Sequence, residues 1–332
     1  MTETIQNRIN QYLKDTIAAE RNFEKALATF GSAGEQTEVQ TMLSAASNKA
    51  RTQHERLEVL LAKRGGTPSE GKTLLAEMLA FTPLSAQMGQ GAAEKNTQHL
   101  VITFAAAAAE MAMYESLATA AAIGNAEDVV SLAMTLQKEE HDDYDQVWRV
   151  LRASAADSFE AELNKGKAAK DVLQVYLEDA IAAEKSFETQ LLGFSKEAKD
   201  PAVQQMFQQH AEETREQYVQ LSARLEQLGG ATSTLKSMVA HMFNFAPKIA
   251  QIGHDEYERQ TQNLMMAFSV ENAEVAMYES LAEVCRIMGD AQTETLALKI
   301  QQQERDTADK VWEQIAPAAR RAMEAARTNA AA

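Results

Sequence analysis

Ala112-Met113-Tyr114-Glu115-Ser116-Leu117-Ala118 returns letter for letter as Ala276-Met277-Tyr278-Glu279-Ser280-Leu281-Ala282. The same shift, about 164 residues, aligns matches on both sides of this stretch. Tyr12-Leu13 and Ile17-Ala18-Ala19-Glu20 recur as Tyr176-Leu177 and Ile181-Ala182-Ala183-Glu184, and Phe23-Glu24 recurs as Phe187-Glu188. Phe81, Pro83, Gln87 and Gly89 recur as Phe245, Pro247, Gln251 and Gly253; Glu140 and Trp148 recur as Glu304 and Trp312. Chance similarity between helical sequences does not keep one register over such a length, so the chain is one unit written twice.

Composition says what the unit is made of. Hydrophobic residues form 45% of the 332 residues, and Ala, Glu, Gln, Leu and Met dominate, all good helix formers. Five prolines, 14 glycines and the lack of Asn-Gly or Asp-Gly hairpin turns leave an all-α protein. Four helices are expected per copy, over 3–30, 36–64, 84–123 and 126–152, then 168–193, 200–228, 248–288 and 290–314. The stops lie at Gly31 to Gly34, Gly65-Gly66, Gly124-Asn125, Gly229-Gly230 and Gly289-Asp290. The first and third connections are short and make antiparallel neighbours. The second runs from Gly65 to about Leu84 and carries a short amphipathic helix from Thr73 to Ala80, ending near Pro83. A long crossover at that place is the ferritin-like topology. The expectation is two tandem ferritin-like four-helix bundles, 1–156 and 168–332, joined by a linker at 157–167, with the two copies packed as an internal pseudo-dimer through faces rich in Ala and Met.

A net charge of −16 excludes the basic stripe that nucleic acid needs and disfavours anionic membrane surfaces. The single Cys285 excludes an internal disulfide and suits a reducing compartment. The apolar run at Ala105 to Ala109 is too short to cross a bilayer, and Met1-Thr2-Glu3-Thr4 lacks a signal-peptide layout. A cytoplasmic location is expected.

The chemistry rests on glutamates at equal depth. The second copy has one on every helix: Glu184, Glu213, Glu274 and Glu304, with Glu271 three residues before Glu274. His210 and Gln217 share the face of Glu213. Buried carboxylates cannot all stay ionised without a cation or protons, and an oxygen-rich site of this kind suits two iron or manganese ions. In the first copy Glu20, Glu110 and Glu140 match, but Lys49 replaces Glu213, Ala46 replaces His210 and Ala107 replaces Glu271. That copy is expected to be metal-poor or empty and held by a Lys49–glutamate network. Tyr114 and Tyr278, one turn beyond Glu110 and Glu274, read equally as partners of a hydroxyl–carboxylate bond and as packing residues. His54, His99, His141, His241 and His254 have no repeated partner and read as surface or structural residues; Trp148 and Trp312 read as packing anchors, and Cys285 as a buried small hydrophobe.

At these residues the chain resembles the bacterial YciE/YciF family of stress-associated ferritin-like proteins, whose members usually carry one such unit. The likeness runs through Tyr176-Leu177-Glu178-Asp179-Ala180, Gln209-His210-Ala211-Glu212-Glu213-Thr214, Glu274-Val275-Ala276-Met277-Tyr278 and Gln303-Glu304. Glu271-x-x-Glu274 is also similar to helix three of rubrerythrin-type di-iron proteins. The resemblance implies a ferritin-like bundle, a two-metal carboxylate site and a part in stress physiology; the first functional reading is a metal-binding protein of oxidase or peroxide-detoxifying type. No Glu-x-x-His occurs in the chain, and Gln217 stands where some relatives place a histidine, so the site is poorer in imidazole than the best-studied di-iron bundles. The other reading is a non-catalytic scaffold whose carboxylates are neutralised by protons or lysine.

Overall fold

Long helices with clear end signals build the molecule. The structure, a computed structural model, describes residues 2–32, 37–68, 92–231 and 255–329. Among these there are eight helices and no strand: α1 (Thr2–Gly31), α2 (Glu38–Lys63), α3 (Ala92–Ile123), α4 (Glu127–Asn164), α5 (Ala169–Glu197), α6 (Pro201–Gln227), α7 (Glu256–Met288) and α8 (Ala291–Asn329). Thr37 opens α2 with a capping box to Gln40, and Asp255 opens α7 with one to Glu258, so the first orphan N–H groups are satisfied locally. Gly289, at φ 74°, closes α7 in the left-handed conformation, and Asn125 takes the same role after α3 at φ 53°. The expected crossover helix from Thr73 to Ala80, Pro83, and the repeated residues 81–89 and 245–253 lie outside the described residues.

Each repeat is two antiparallel hairpins, α1 with α2 and α3 with α4, then α5 with α6 and α7 with α8. The third helix of each repeat is buried almost all round, and it also carries the contact between repeats. Where α3 crosses α7, the Ser269 hydroxyl donates to the Ala105 carbonyl at 2.8 Å. These two residues are the same position of the repeat, so the third helices meet at equivalent points. Around them Ala105, Ala108, Met111 and Ala112 pack with Ala267, Val270, Ala273 and Met277 in one apolar cluster. Small side chains let the two backbones approach closely. Polar pairs then join the repeats on one side: Tyr144 donates to Asn272 at 2.7 Å, Arg152 pairs with the buried Glu279, and the Arg305 guanidinium sits 4.5 Å over the Trp148 ring. Trp312, at the matching place, packs on Phe268.

Three sequence expectations need correction. The fourth helices are longer than expected: α4 runs through Asn164 instead of stopping near 152, and α8 runs through Pro317 to Asn329 instead of stopping near 314. Most of the expected linker at 157–167 is therefore helix, and only Lys165 to Ala168 separate α4 from α5. The reason is where these ends pack. Phe159, fully buried, belongs to the cluster of Leu173 and Leu177 in the second repeat, and Met323 to that of Ile9 and Leu13 in the first. Phe159 and Met323 are again equivalent positions. Each repeat lends the end of its last helix to the core of the other. The third correction concerns α3: by length and composition the stretch Ala93–Ile123 could cross a membrane, but 83% of its most apolar window is buried inside the protein, where it serves as a core helix.

Phe159→Ala is expected to cost about 3–5 kcal/mol in denaturant unfolding. The loss should appear as faster amide exchange in α5, on the other repeat, and exchange confined to α3 and α4 would contradict the shared core.

Candidate metal centre

In the second repeat, α5, α6, α7 and α8 direct polar groups into one buried space. Glu184, Glu271, Glu274 and Glu304 are all at most 1% exposed, and His210 and Gln217 scarcely more. His210, Glu271 and Glu304 each offer an atom within 4.8 Å of the others. His210 Nδ1 lies 3.0 Å from Glu271 Oε1 and its Nε2 lies 3.7 Å from Glu304 Oε2, but neither approach is aligned as a hydrogen bond. Gln217 donates its amide to Glu304, and the Tyr278 hydroxyl donates to Glu184. Glu213 is half-buried beside this group; its charge contributes to the raised pKa of Glu271.

The electrostatics are severe. Both oxygens of Glu271 and of Glu274, and one of Glu184, have no hydrogen-bond partner. Burial pushes the carboxyls of Glu184, Glu271 and Glu274 well above the usual range, and mutual repulsion adds to it, chiefly from Glu304 on Glu184 and Glu271 and from Glu184 on Glu274. Desolvation of an unpaired charge is the main cost. Orphaned oxygens converging with one imidazole are what a hard or borderline cation requires, so the residues present fit such an ion.

The first repeat keeps the frame with fewer groups. Glu20, Glu110 and Glu140 are buried, with one oxygen of each within 4.8 Å of the others. Tyr114 donates to Glu20 as Tyr278 does to Glu184. Both tyrosines thus bond a carboxylate on the first helix of their repeat, not the expected Glu110 or Glu274. A tyrosine hydroxyl stands too far from its own helix to meet a carboxylate one turn back and reaches across the core instead. Gln53 donates to Glu140 at 2.6 Å, the counterpart of Gln217 on Glu304. That glutamine went unnoticed in the sequence, although the same shift aligns the two.

Lys49 corrects the expected lysine–glutamate network. Its ammonium pairs with Asp143 at 2.9 Å and donates to the Glu139 carbonyl, not to the three buried glutamates. Asp143, where the second repeat has Thr307, is the residue that sequence reading missed. The lysine still acts at a distance: Glu140 is pushed up to about 7 by burial and by Asp143, with Lys49 and Gln53 pulling the other way.

Other singled-out residues fall outside these clusters. His54 bridges Glu24 and Glu58, each at 2.9 Å, and the buried His99 stacks on Phe30 and is lowered to about 4 by desolvation. His141 is exposed, and His241 and His254 lie outside the described residues. Cys285 is buried, and desolvation raises its thiol to about 12.

The family described as "Domain of unknown function (DUF892)" matches residues 4–151 and again residues 168–324. No curated protein and no solved structure matches the chain.

The raised carboxyls make a pH prediction for metal-free protein. Glu140 ionises ordinarily at 4.5 and in the fold at about 7, so between these values the folded state binds more protons. Its contribution to stability is fully present below 4.5 and lost as pH rises through about 7; the other raised glutamates act in the same direction. Thermal melts in chelator should fall across this window, and Glu140→Gln should flatten the fall. A melting temperature that instead climbs with pH would contradict the reading.

Proposed function

Because this chain belongs to the DUF892 family in both of its halves, a family of the ferritin-like superfamily, we propose that its second repeat is a metal centre. The proposed occupants are two iron or manganese ions. Glu184, Glu213, Glu271, Glu274, Glu304 and His210 would hold them, with Gln217 orienting Glu304. The observation that carries this reading is the set of orphaned oxygens on Glu271 and Glu274 around His210, with no lysine or arginine paired to them among the described residues.

A bound iron pair would supply the electrons by which oxygen or peroxide is reduced, which agrees with the YciE/YciF-type resemblance and a protective part in stress. The chain's own residues set the conditions. Apolar walls exclude bulk water and make each carboxylate a stronger ligand. Gln217 fixes one oxygen of Glu304 and Tyr278 one oxygen of Glu184, which leaves the second oxygen of each free to face an ion. The carboxylates release their protons when a cation replaces them, so binding should weaken as pH falls.

The pairing of the repeats belongs to the same proposal. A crossing at equivalent residues and the reciprocal exchange of Phe159 and Met323 are the marks of a twofold pair, so the chain would hold internally the dimer that single-unit relatives make between chains.

The test is metal analysis of protein purified with iron and manganese supplied, together with melting. At a metal concentration of about 100 Kd, a site that binds only the folded state adds about 2.7 kcal/mol, and Glu274→Gln should abolish that gain. Stopped-flow absorbance after ferrous iron and peroxide should show oxidation that the variant lacks. A protein that binds neither metal and melts identically with and without Glu274 would be the scaffold of the alternative reading, its carboxyls neutralised by protons.

A further inference from the structure

The two repeats differ at four neighbouring positions around the carboxylates: Ala46 for His210, Lys49 for Glu213, Ala107 for Glu271 and Asp143 for Thr307. Lys49 and Asp143 hold each other at 2.9 Å and together carry no net charge. Glu20, Glu110 and Glu140 are therefore left without a bonded cation. Glu20 Oε2, Glu110 Oε1, Glu110 Oε2 and Glu140 Oε2 are buried without a hydrogen-bond partner, and Glu110 is 0% exposed. The atoms available for ligation lie within 4.8 Å of one another, a separation that oxygens around one hard cation can adopt.

We propose that the first repeat binds a single divalent cation between Glu20, Glu110 and Glu140, beside the self-neutralised Lys49–Asp143 pair. Charge supports the assignment. Counted as ionised, the first cluster has three uncancelled carboxylates, and the second has five when Glu213 is included. One divalent ion in the first and two in the second leave each cluster with the same single excess negative charge. A cavity of about 700 Å³ opens beside Lys49, lined in part by Phe23, Ala46, Ala107, Glu139 and Asp143. Phe23, Ala107 and Asp143 each lie one turn from one of the three glutamates, and the two alanines leave open the space that His210 and Glu271 fill in the other repeat. The three glutamates do not themselves line the cavity, which stops about one helical turn short of them, so an ion entering from it would shed most of its water to reach them. With no imidazole, the ligand set favours hard cations such as Mn2+ over those that seek nitrogen.

The comparison with two ions rests on the proposed function of the second repeat; the first-repeat ion does not. Mn2+ titration of the full chain, read by equilibrium binding and by electron paramagnetic resonance, separates them. The wild-type protein should show the resolved hyperfine pattern of an isolated Mn2+ beside the broad signal of a coupled pair. Glu110→Gln should remove the isolated signal and one ion per chain while the pair remains; Glu274→Gln should do the reverse. An isolated signal and full ion count retained in Glu110→Gln would overturn the proposal, whereas a missing pair with the isolated ion intact would overturn only the second-repeat reading. Should Glu110→Gln fail to fold, Lys49→Met carries the test. Loss of the ammonium leaves Asp143 uncompensated beside the ion and should tighten first-repeat Mn2+ binding about tenfold, and binding that is unchanged or weaker would refute the site.

Discussion

Carboxylates buried in an apolar helical core set the terms for the rest of this protein. A charge taken from water into such surroundings costs several kcal/mol unless something answers it, and seven glutamates here are almost completely enclosed in two clusters. The surrounding structure can be understood as the set of answers. Tyr114, Tyr278, Gln53 and Gln217 each satisfy one oxygen, always from a helix other than the one carrying the glutamate. Protons or cations must satisfy the others. The helices are held in register by the need of these groups to meet, because a helix displaced by one residue would rotate its glutamate out of the cluster.

The repeat made the helical architecture legible before any coordinates. Helix ends marked by Gly289 and Asn125 lie close to where their residue types indicate. The length of α4 and α8 was not legible for a definite physical reason. The apolar positions beyond Leu151 and Ile315 face a partner that is distant in sequence, so their pattern has no local meaning until the two repeats are in contact. The cluster in the second repeat was readable as a set of residue types, but not the depth of each. Glu213 proves half-buried, whereas Glu271 and His210 lie within 3.0 Å of each other. Lys49 was misread because its partner, Asp143, sits at a position where the second repeat has an uncharged threonine, and a comparison restricted to glutamates passes over it.

Duplication followed by divergence accounts for the contrast between the clusters. The repeats differ at positions 46, 49, 107 and 143 of the first without a difference in the frame of Glu20, Glu110, Glu140, Tyr114 and Gln53, which matches its twin position by position. A lysine alone at position 49 would have been buried against nothing of its own; with Asp143 it forms a closed pair whose desolvation cost is met within the pair. One repeat carries His210, Glu213 and Glu271 around its buried glutamates, while the other has an internal ion pair and an open cavity in their place.

The reciprocal loan of helix ends also bears on the order in which the chain can fold. The core of the first repeat contains Met323, which emerges from the ribosome only after nearly all of the second repeat has been made. The N-terminal half therefore cannot complete its packing during synthesis, despite containing four helices of its own. It must wait, partly formed, for the far end of the polypeptide. Domains joined as beads on a string can finish one after another; these two are completed by the same late event, so a truncation that removes the last turns of α8 injures the half of the protein that was made first.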